Sequence, residues 1–391
     1  MVNKIKDLQS ILTLYETNPK WLISQIDKVR ALQKDKKDPS DKLLSLSKFV
    51  VSSELLTKKG FPEYVLLDEY FLSYATPSKY AEHRAKKISK LFPDKKLIDI
   101  SCGSGLQLIE FAKQGIKCCG IEKDNERYLL AKININLAHY TKTIRVGPEI
   151  YLEDSLSTKA KKIINDYDIV FCDSYRENKK YMPNINEVYE TYKDKIIIYE
   201  FIPTETITTL FDTHSFLKNN SIIEFYGEKD RCSRITAYIC KENKIEFYQN
   251  DDSLKLELSY NHKDLEIKER QFQNEFPKGT FIILNKCIIE NHFDVLIKDK
   301  IFKLDNRRYL LEDTSASKRQ FVTEYNAQRI NSITSYLKDN YKDYYTTLRF
   351  ELDPKDYWRF INNNSLITNK ESKNRFSLFK YKDNYYLASE K

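Results

Sequence analysis

The chain has 391 residues, 41% of them apolar and 31% charged, with 65 Lys and Arg against 57 Asp and Glu for a formal charge of +8. That length allows two or three domains with proper cores. No apolar run approaches the ~20 residues that span a bilayer, and Met1-Val-Asn-Lys-Ile-Lys-Asp7 lacks the apolar core of a secretion signal, so a cytoplasmic protein without a membrane segment is expected.

Seven scattered cysteines without a Cys-x-x-Cys pair, and five histidines away from them, fit neither a disulfide framework nor a zinc site. No metal is expected. Charge is uneven along the chain: 19 basic against 12 acidic residues over 1–96, 29 against 33 over 97–300, and 17 against 12 over 301–391. Basic flanks around a mildly acidic centre suit a polyanion held at the ends, and equally suit lysine-rich surfaces that only solubilise.

Residues 3–60 carry helical apolar spacing, with 34–41 as a linker. A further helix is expected from Thr76-Pro77, a cap followed by a proline suited to the first helical position, to about Leu91. Strands are then expected at 97–100, 117–121, 149–152, 168–172 and 195–201, with a helix over 125–140 and a hairpin from 221–226 and 234–240. This alternation implies a mostly parallel sheet covered on both faces, with an antiparallel edge. Beyond residue 241 the texture becomes α+β: strands at 245–248, 254–259, 280–284 and 293–297, a helix over 315–336, a strand over 346–352, a helix over 354–362, and strands at 375–380 and 385–388.

The first strand runs into a turn, Leu97-Ile-Asp-Ile-Ser-Cys-Gly-Ser-Gly105, and four of the eight glycines (Gly103, Gly105, Gly115, Gly120) fall within 18 residues here. Gly103 and Gly105 permit a sharp turn and close approach of a ligand, with the next helix pointing its N-terminus at it. The dinucleotide pattern fails at Leu108, and no Gly-Lys-Ser/Thr phosphate loop exists. Acids instead mark four successive strands: Asp99 within the first, Glu122, Asp154 and Asp173 after the next three. Glu122, about 20 residues past the turn, suits the hydroxyls of a ribose; Asp154 suits an adenine amino group; Asp173 lies at the carboxyl edge where open sheets bind ligands.

These residues, with Gly120-Ile-Glu-Lys-Asp124 and Ala131-Lys-Ile-Asn-Ile-Asn136, resemble the class I S-adenosylmethionine-dependent methyltransferases, and more narrowly the RNA-directed branch containing the trimethylguanosine synthases. Tyr74-Ala-Thr-Pro-x-x-x-Ala-x-His-Arg84 resembles the lead-in helix of prokaryotic members of that branch that end in a THUMP-like domain. Leu348-Arg-Phe-x-Leu-Asp-Pro-x-x-Tyr-Trp358, Arg375-Phe-Ser-Leu-Phe379 and Tyr386-Leu-Ala-Ser-Glu390 are similar to that domain. Together the matches cover roughly 74–240 and 348 to the end.

The resemblance implies an α/β fold: a Rossmann-like seven-stranded sheet at 76–240, an N-terminal helical region at 1–75, and a C-terminal α+β, THUMP-like RNA-binding domain at 241–391. It implies S-adenosylmethionine as cofactor, with Asp99 near the methionine amino group, Ser101, Gly103 and Gly105 shaping the turn, Glu122 at the ribose, Asp154 at the adenine, Lys123 also among the cofactor-binding residues, and Asp173 between cofactor and substrate. Methyltransferases of exocyclic amines carry Asp/Asn-Pro-Pro-aromatic at this last site, where this chain has Asp173-Ser-Tyr-Arg176, closer to the Asp-Pro-x-Arg of the THUMP-like members but without the proline.

Asp173 orienting an amine, Tyr175 stacking on a base and Arg176 meeting a phosphate or a guanine edge all fit this site. The expected activity is methylation of a base nitrogen, a guanine exocyclic amine above others, in tRNA or rRNA, by a monomer. The eroded motif supports the alternative of an inactive, RNA-binding protein of the same fold; methylation of a protein or small molecule is a third reading. In the tail, Tyr357, Trp358, Arg359, Arg375 and Tyr386 suit an RNA surface or the core and rim of a small domain. His83 suits packing or a contact with cofactor or substrate. Cys102, Cys118 and Cys119 suit small buried positions.

Overall fold

The computed structural model describes residues 2–177, 180–228, 231–249, 253–259, 271–277, 280–305, 308–312 and 324–389. The chain divides into two compact units, Met1–Phe201 with Thr236–Cys240, and Ile202–Ile235 with Lys241–Lys391.

The first unit opens with helices α1 (Val2–Thr17), α2 (Pro19–Lys34), α3 (Asp41–Ser47), α4 (Ser53–Lys59), α5 (Glu69–Tyr74) and α6 (Ser78–Leu91). Local chemistry sets their ends: the Asn18 side chain accepts from the Trp21 N–H ahead of α2, and Gly60 closes α4 at φ +69°. Alternation follows: β1 (Leu97–Asp99), α7 (Leu106–Lys113), β2 (Cys118–Glu122), α8 (Asn125–Tyr140), β3 (Glu149–Leu152), α9 (Thr158–Ile164) and β4 (Ile169–Cys172). A short hairpin of β5 (Tyr175–Glu177) and β6 (Lys180–Met182), then α10 (Ile185–Tyr192), leads to β7 (Ile196–Phe201). β1 lies between β2 and β4, parallel to both, with Asp99 beside Gly120 and Phe171. α8 carries apolar residues on its outer side as well: Leu130, Ile133 and Leu137 share a core with Leu8, Leu22, Ile26 and Phe49 of the N-terminal segment.

The strand order is β11-β10-β8-β9-β7-β4-β1-β2-β3, where β8 is Ser221–Glu228, β9 Arg231–Ile239, β10 Lys244–Gln249 and β11 Ser253–Ser259. Among the described residues this sheet has nine strands where seven were expected. β10 and β11, read from sequence as the start of an accessory domain, extend this sheet, because β10 pairs in parallel with β8, setting Ile245 beside Ile223 and Phe247 beside Phe225. Alternation marks a half-buried strand without saying which sheet it joins.

The second unit also holds a seven-stranded sheet with helices Ile333–Asn340 and Pro354–Asn363. Two expectations fail in it. Residues 293–297 form no strand: Phe293–Leu296 is a 3-10 turn, entered through a left-handed His292 (φ +60°), with Phe293 packed against Phe225 and Phe247. The helix expected over 315–336 lies partly outside the described residues; the remainder is the strand Glu324–Ile330 followed by the start of the helix Ile333–Asn340. Ladder bonds to Thr280–Leu284 and Asn384–Ser389, and Tyr325 stacked on Phe281, override the helical spacing.

Candidate functional site

The site begins where β1 ends. Asp99 is buried, and its Oδ1 accepts the Ser101 N–H at 3.0 Å. Burial pushes the Asp99 carboxyl up to about 8, an effect eased by that bond and increased by the Asp173 and Glu122 carboxylates. Gly103 and Gly105 follow at φ +55° and +81°, a region that costs other residues strain. A Cβ at Gly105 would lie 3.2 Å from that of Ala131 on α8, whereas one at Gly103 would meet nothing within 4 Å. Gly120 serves packing instead: a Cβ there would sit 2.6 Å from Leu108 Cδ1 and 2.8 Å from Cys102 Sγ.

Glu122, at the end of β2, ties this turn to the next. Its Oε2 accepts the Gly103 N–H and its Oε1 the Asp124 N–H, each at 2.9 Å. A carboxylate oxygen has two lone pairs, so each retains acceptor capacity. Burial raises the Glu122 pKa, partly offset by the Asp124 N–H and the Arg127 charge. From α8, the buried Asn134 exchanges hydrogen bonds with the Leu66 backbone at 2.7 and 3.0 Å and donates to Ser104 O at 3.0 Å. Asp154 accepts the Leu156 N–H at 2.9 Å, and its exposed carboxylate lies 4.0 Å from the equally exposed Lys123 ammonium.

At the end of β4 the Asp173 N–H donates to Ser101 Oγ at 2.9 Å. Ser101 therefore does more than tighten its own turn: it joins the ends of β1 and β4. Arg176 Nη2 is 3.1 Å from Asp173 Oδ1 and donates to Glu200 O at 3.0 Å. Glu200 is buried, and its carboxylate meets Arg84 Nη2 of α6 at 2.5 Å and Thr236 Oγ1 of β9 at 2.9 Å. Arg84 also reaches Gln107 and lies 5.0 Å over the Phe171 ring. Ser174, where the family pattern has proline, is buried and donates its hydroxyl to Pro183 O at 3.0 Å.

Tyr175 joins a tyrosine cluster with α5: its hydroxyl is 3.1 Å from that of Tyr70, and its ring centre 6.0 Å from that of Tyr74. The Arg127 guanidinium lies 5.1 Å from the centre of the Tyr175 ring. Asp99, Glu122 and Asp173 are thus gathered closely enough for their charges to interact, while Asp154 and Lys123 stand in solvent at the end of β3 and beyond β2.

Sequence reasoning missed the Arg84–Glu200 pair, Asn134, Arg127 and Tyr70. Arg84 and Asn134 sat inside quoted motifs, which was a signal; Glu200 and Tyr70 gave none. His83, Cys102 and Cys119 are buried, Cys118 is only half-buried, and burial pushes the Cys102 thiol well up. In the second unit Tyr357, Trp358, Arg359 and Arg375 are exposed, whereas Tyr386 stacks on Phe276 at 3.8 Å between ring centres.

No protein-family profile and no curated protein matches the chain. Among solved structures, a candidate methyltransferase from Porphyromonas gingivalis W83 aligns with TM-score 0.63 at 12% identity, over 94% of this chain and 98% of that one. A candidate RNA methyltransferase from Pyrococcus horikoshii aligns over 48% of this chain and 97% of its own at 12% identity and TM-score 0.34. The tRNA (uracil-54, C5)-methyltransferase of Pyrococcus abyssi, solved with S-adenosyl-L-homocysteine, does so over 42% and 39% at 18% identity and TM-score 0.29. The first alignment shows that the two chains share one fold over nearly the whole of each. Among the described residues, no helix is long and apolar enough to cross a membrane.

Proposed function

We propose that the chain is an S-adenosylmethionine-dependent RNA methyltransferase acting on a base nitrogen, with a guanine exocyclic amine as the preferred acceptor, in tRNA or rRNA. The observation that carries this reading is the open space over Gly103 beside a buried Glu122 with acceptor capacity to spare, on a methyltransferase fold. The residues present fit the cofactor: Asp99 for its amino group, Gly103 and Gly105 for room, Glu122 for the ribose, Asp154 with Lys123 on the adenine side. When bound, it supplies an activated methyl group on a sulfonium.

The protein's part is then positioning. The Asp173 carboxylate accepts the N–H groups of an amine, and Ser101 fixes its backbone. Arg176 holds one of its oxygens, leaving the other for the acceptor. Ser174, in the place of the family's proline, is buried and tied to the Pro183 carbonyl, so the loop that carries Asp173 is anchored although that proline is absent. We assign 1–75 as helical lead-in, 76–240 together with β10 and β11 as the methyltransferase domain, and the remainder to 391 as a THUMP-like RNA-binding domain, its exposed Tyr357, Trp358, Arg359 and Arg375 meeting RNA.

Isothermal calorimetry with S-adenosylhomocysteine tests the cofactor assignment. Binding that is lost in Glu122→Ala is expected, and the absence of any heat at millimolar ligand would overturn it.

A further inference from the structure

The carboxyl edge carries an aromatic surface that reaches beyond Asp173, Tyr175 and Arg176. α5 has no buried residue, yet presents Tyr70, Phe71 and Tyr74, with Tyr70 45% and Tyr74 61% exposed. The two tyrosines are one helical turn apart, their ring centres 5.0 Å from each other, and Tyr175 closes the group from β5. Arg127, from the first turn of α8, lies 5.1 Å from the centre of the Tyr175 ring and 5.3 Å from that of Phe71, and its charge also acts on Glu122. Three adjoining tyrosines with a guanidinium, two of them substantially in water, make a surface for flat rings attached to negative charge.

We infer that Tyr70, Tyr74, Tyr175 and Arg127 form a stacking site for an unpaired nucleobase of single-stranded RNA, with Arg127 meeting the adjoining phosphate. The inference rests on the proposed RNA methyltransferase reading and deepens it. A base inside a duplex has both faces covered, so only an unpaired nucleotide can lie against these rings. The tyrosine hydroxyls and the guanidinium suit a polar, anionic ring-bearing ligand better than an aliphatic peptide or lipid chain, and the formal charge of +8 favours a polyanion.

Fluorescence anisotropy of the full chain with a short labelled RNA, single-stranded and annealed to its complement, tests the site. The single strand should bind more tightly than the duplex. Tyr74→Ala should weaken single-strand binding ~5- to 150-fold, the range for loss of one stacked base, with Tyr74→Phe within about twofold of the parent. Calorimetric affinity for S-adenosylhomocysteine should not change in either variant. Equal binding of single strand and duplex, or unchanged binding in both Tyr74→Ala and Tyr70→Ala, would overturn the site. RNA methylation persisting in those variants with an unaltered KM for RNA would also remove it while leaving the methyltransferase reading intact. Tyr74-dependent single-strand binding by a chain that methylates no RNA would retain the site and remove that reading.

Discussion

The carboxyl edge has two halves built on different principles. Around β1 and β2 the partners are main chain: Glu122 accepts amide hydrogens on both oxygens, Asp99 accepts one, and two left-handed glycines carry the turn. Around β4 and β7 the partners are largely side chains, with Ser101 under Asp173, Arg176 across it, and Arg84 and Thr236 on Glu200. Backbone donors cannot be exchanged by substitution, so the first half suits a ligand common to many enzymes. Side-chain pairings change one residue at a time, so the second half suits an acceptor that varies among them.

Substitutions should separate the halves. The largest effect is expected from Asp173→Ala: methyl transfer falls by ~10²-fold or more, while calorimetric affinity for S-adenosylhomocysteine stays within about threefold. An equal fall in both would merge the halves into one. Glu122→Ala should do the reverse. It strands the Gly103 and Asp124 N–H groups, at a cost of about 1–3 kcal/mol each, so a melt should show a lower transition temperature and titration a cofactor affinity lower by ~10²-fold.

A pH effect should appear in the half around β1 and β2. In the ligand-free protein Asp99 is held neutral up to about 8, so its contribution to stability is complete below the unfolded value and is lost as pH rises through 8. Placing a cationic amino group beside it at pH 6.5 should release up to about one proton, read as a dependence of the binding heat on buffer ionisation enthalpy, and Asp99→Asn should abolish that release. The smallest effect is expected from Ser101→Ala, which removes a single bond to the Asp173 N–H: kcat should fall about 2- to 10-fold with the cofactor affinity unchanged.

The two halves were also unequally legible in the sequence. A left-handed turn leaves a glycine signature, and an acid at fixed spacing past it follows from the geometry of a βαβ unit, so Gly103, Gly105 and Glu122 could be read directly. That the first partners of Glu122 are its own backbone amides could not. Arg84 and Glu200 are 116 residues apart, and no local pattern announces such a pair. Tyr70 and Tyr74 look like any exposed aromatics until α5 and β5 are brought together. Elements with local causes, such as α6, α8 and β1 to β4, emerged as expected, although α6 starts at Ser78 with Pro77 instead of Thr76 in the capping position and no side-chain cap bond, whereas membership of β10 in the main sheet and the strand Glu324–Ile330 depend on long-range pairing.

The most direct test is transfer of a labelled methyl group from S-adenosylmethionine to RNA by the full chain, with the nucleosides resolved after digestion. Ribonuclease-sensitive label on a base nitrogen, with N2-methylated guanosine foremost, and its loss in Asp173→Ala are expected. Label confined to protein or small molecules, or none above the Asp173→Ala level, would contradict the RNA methyltransferase reading.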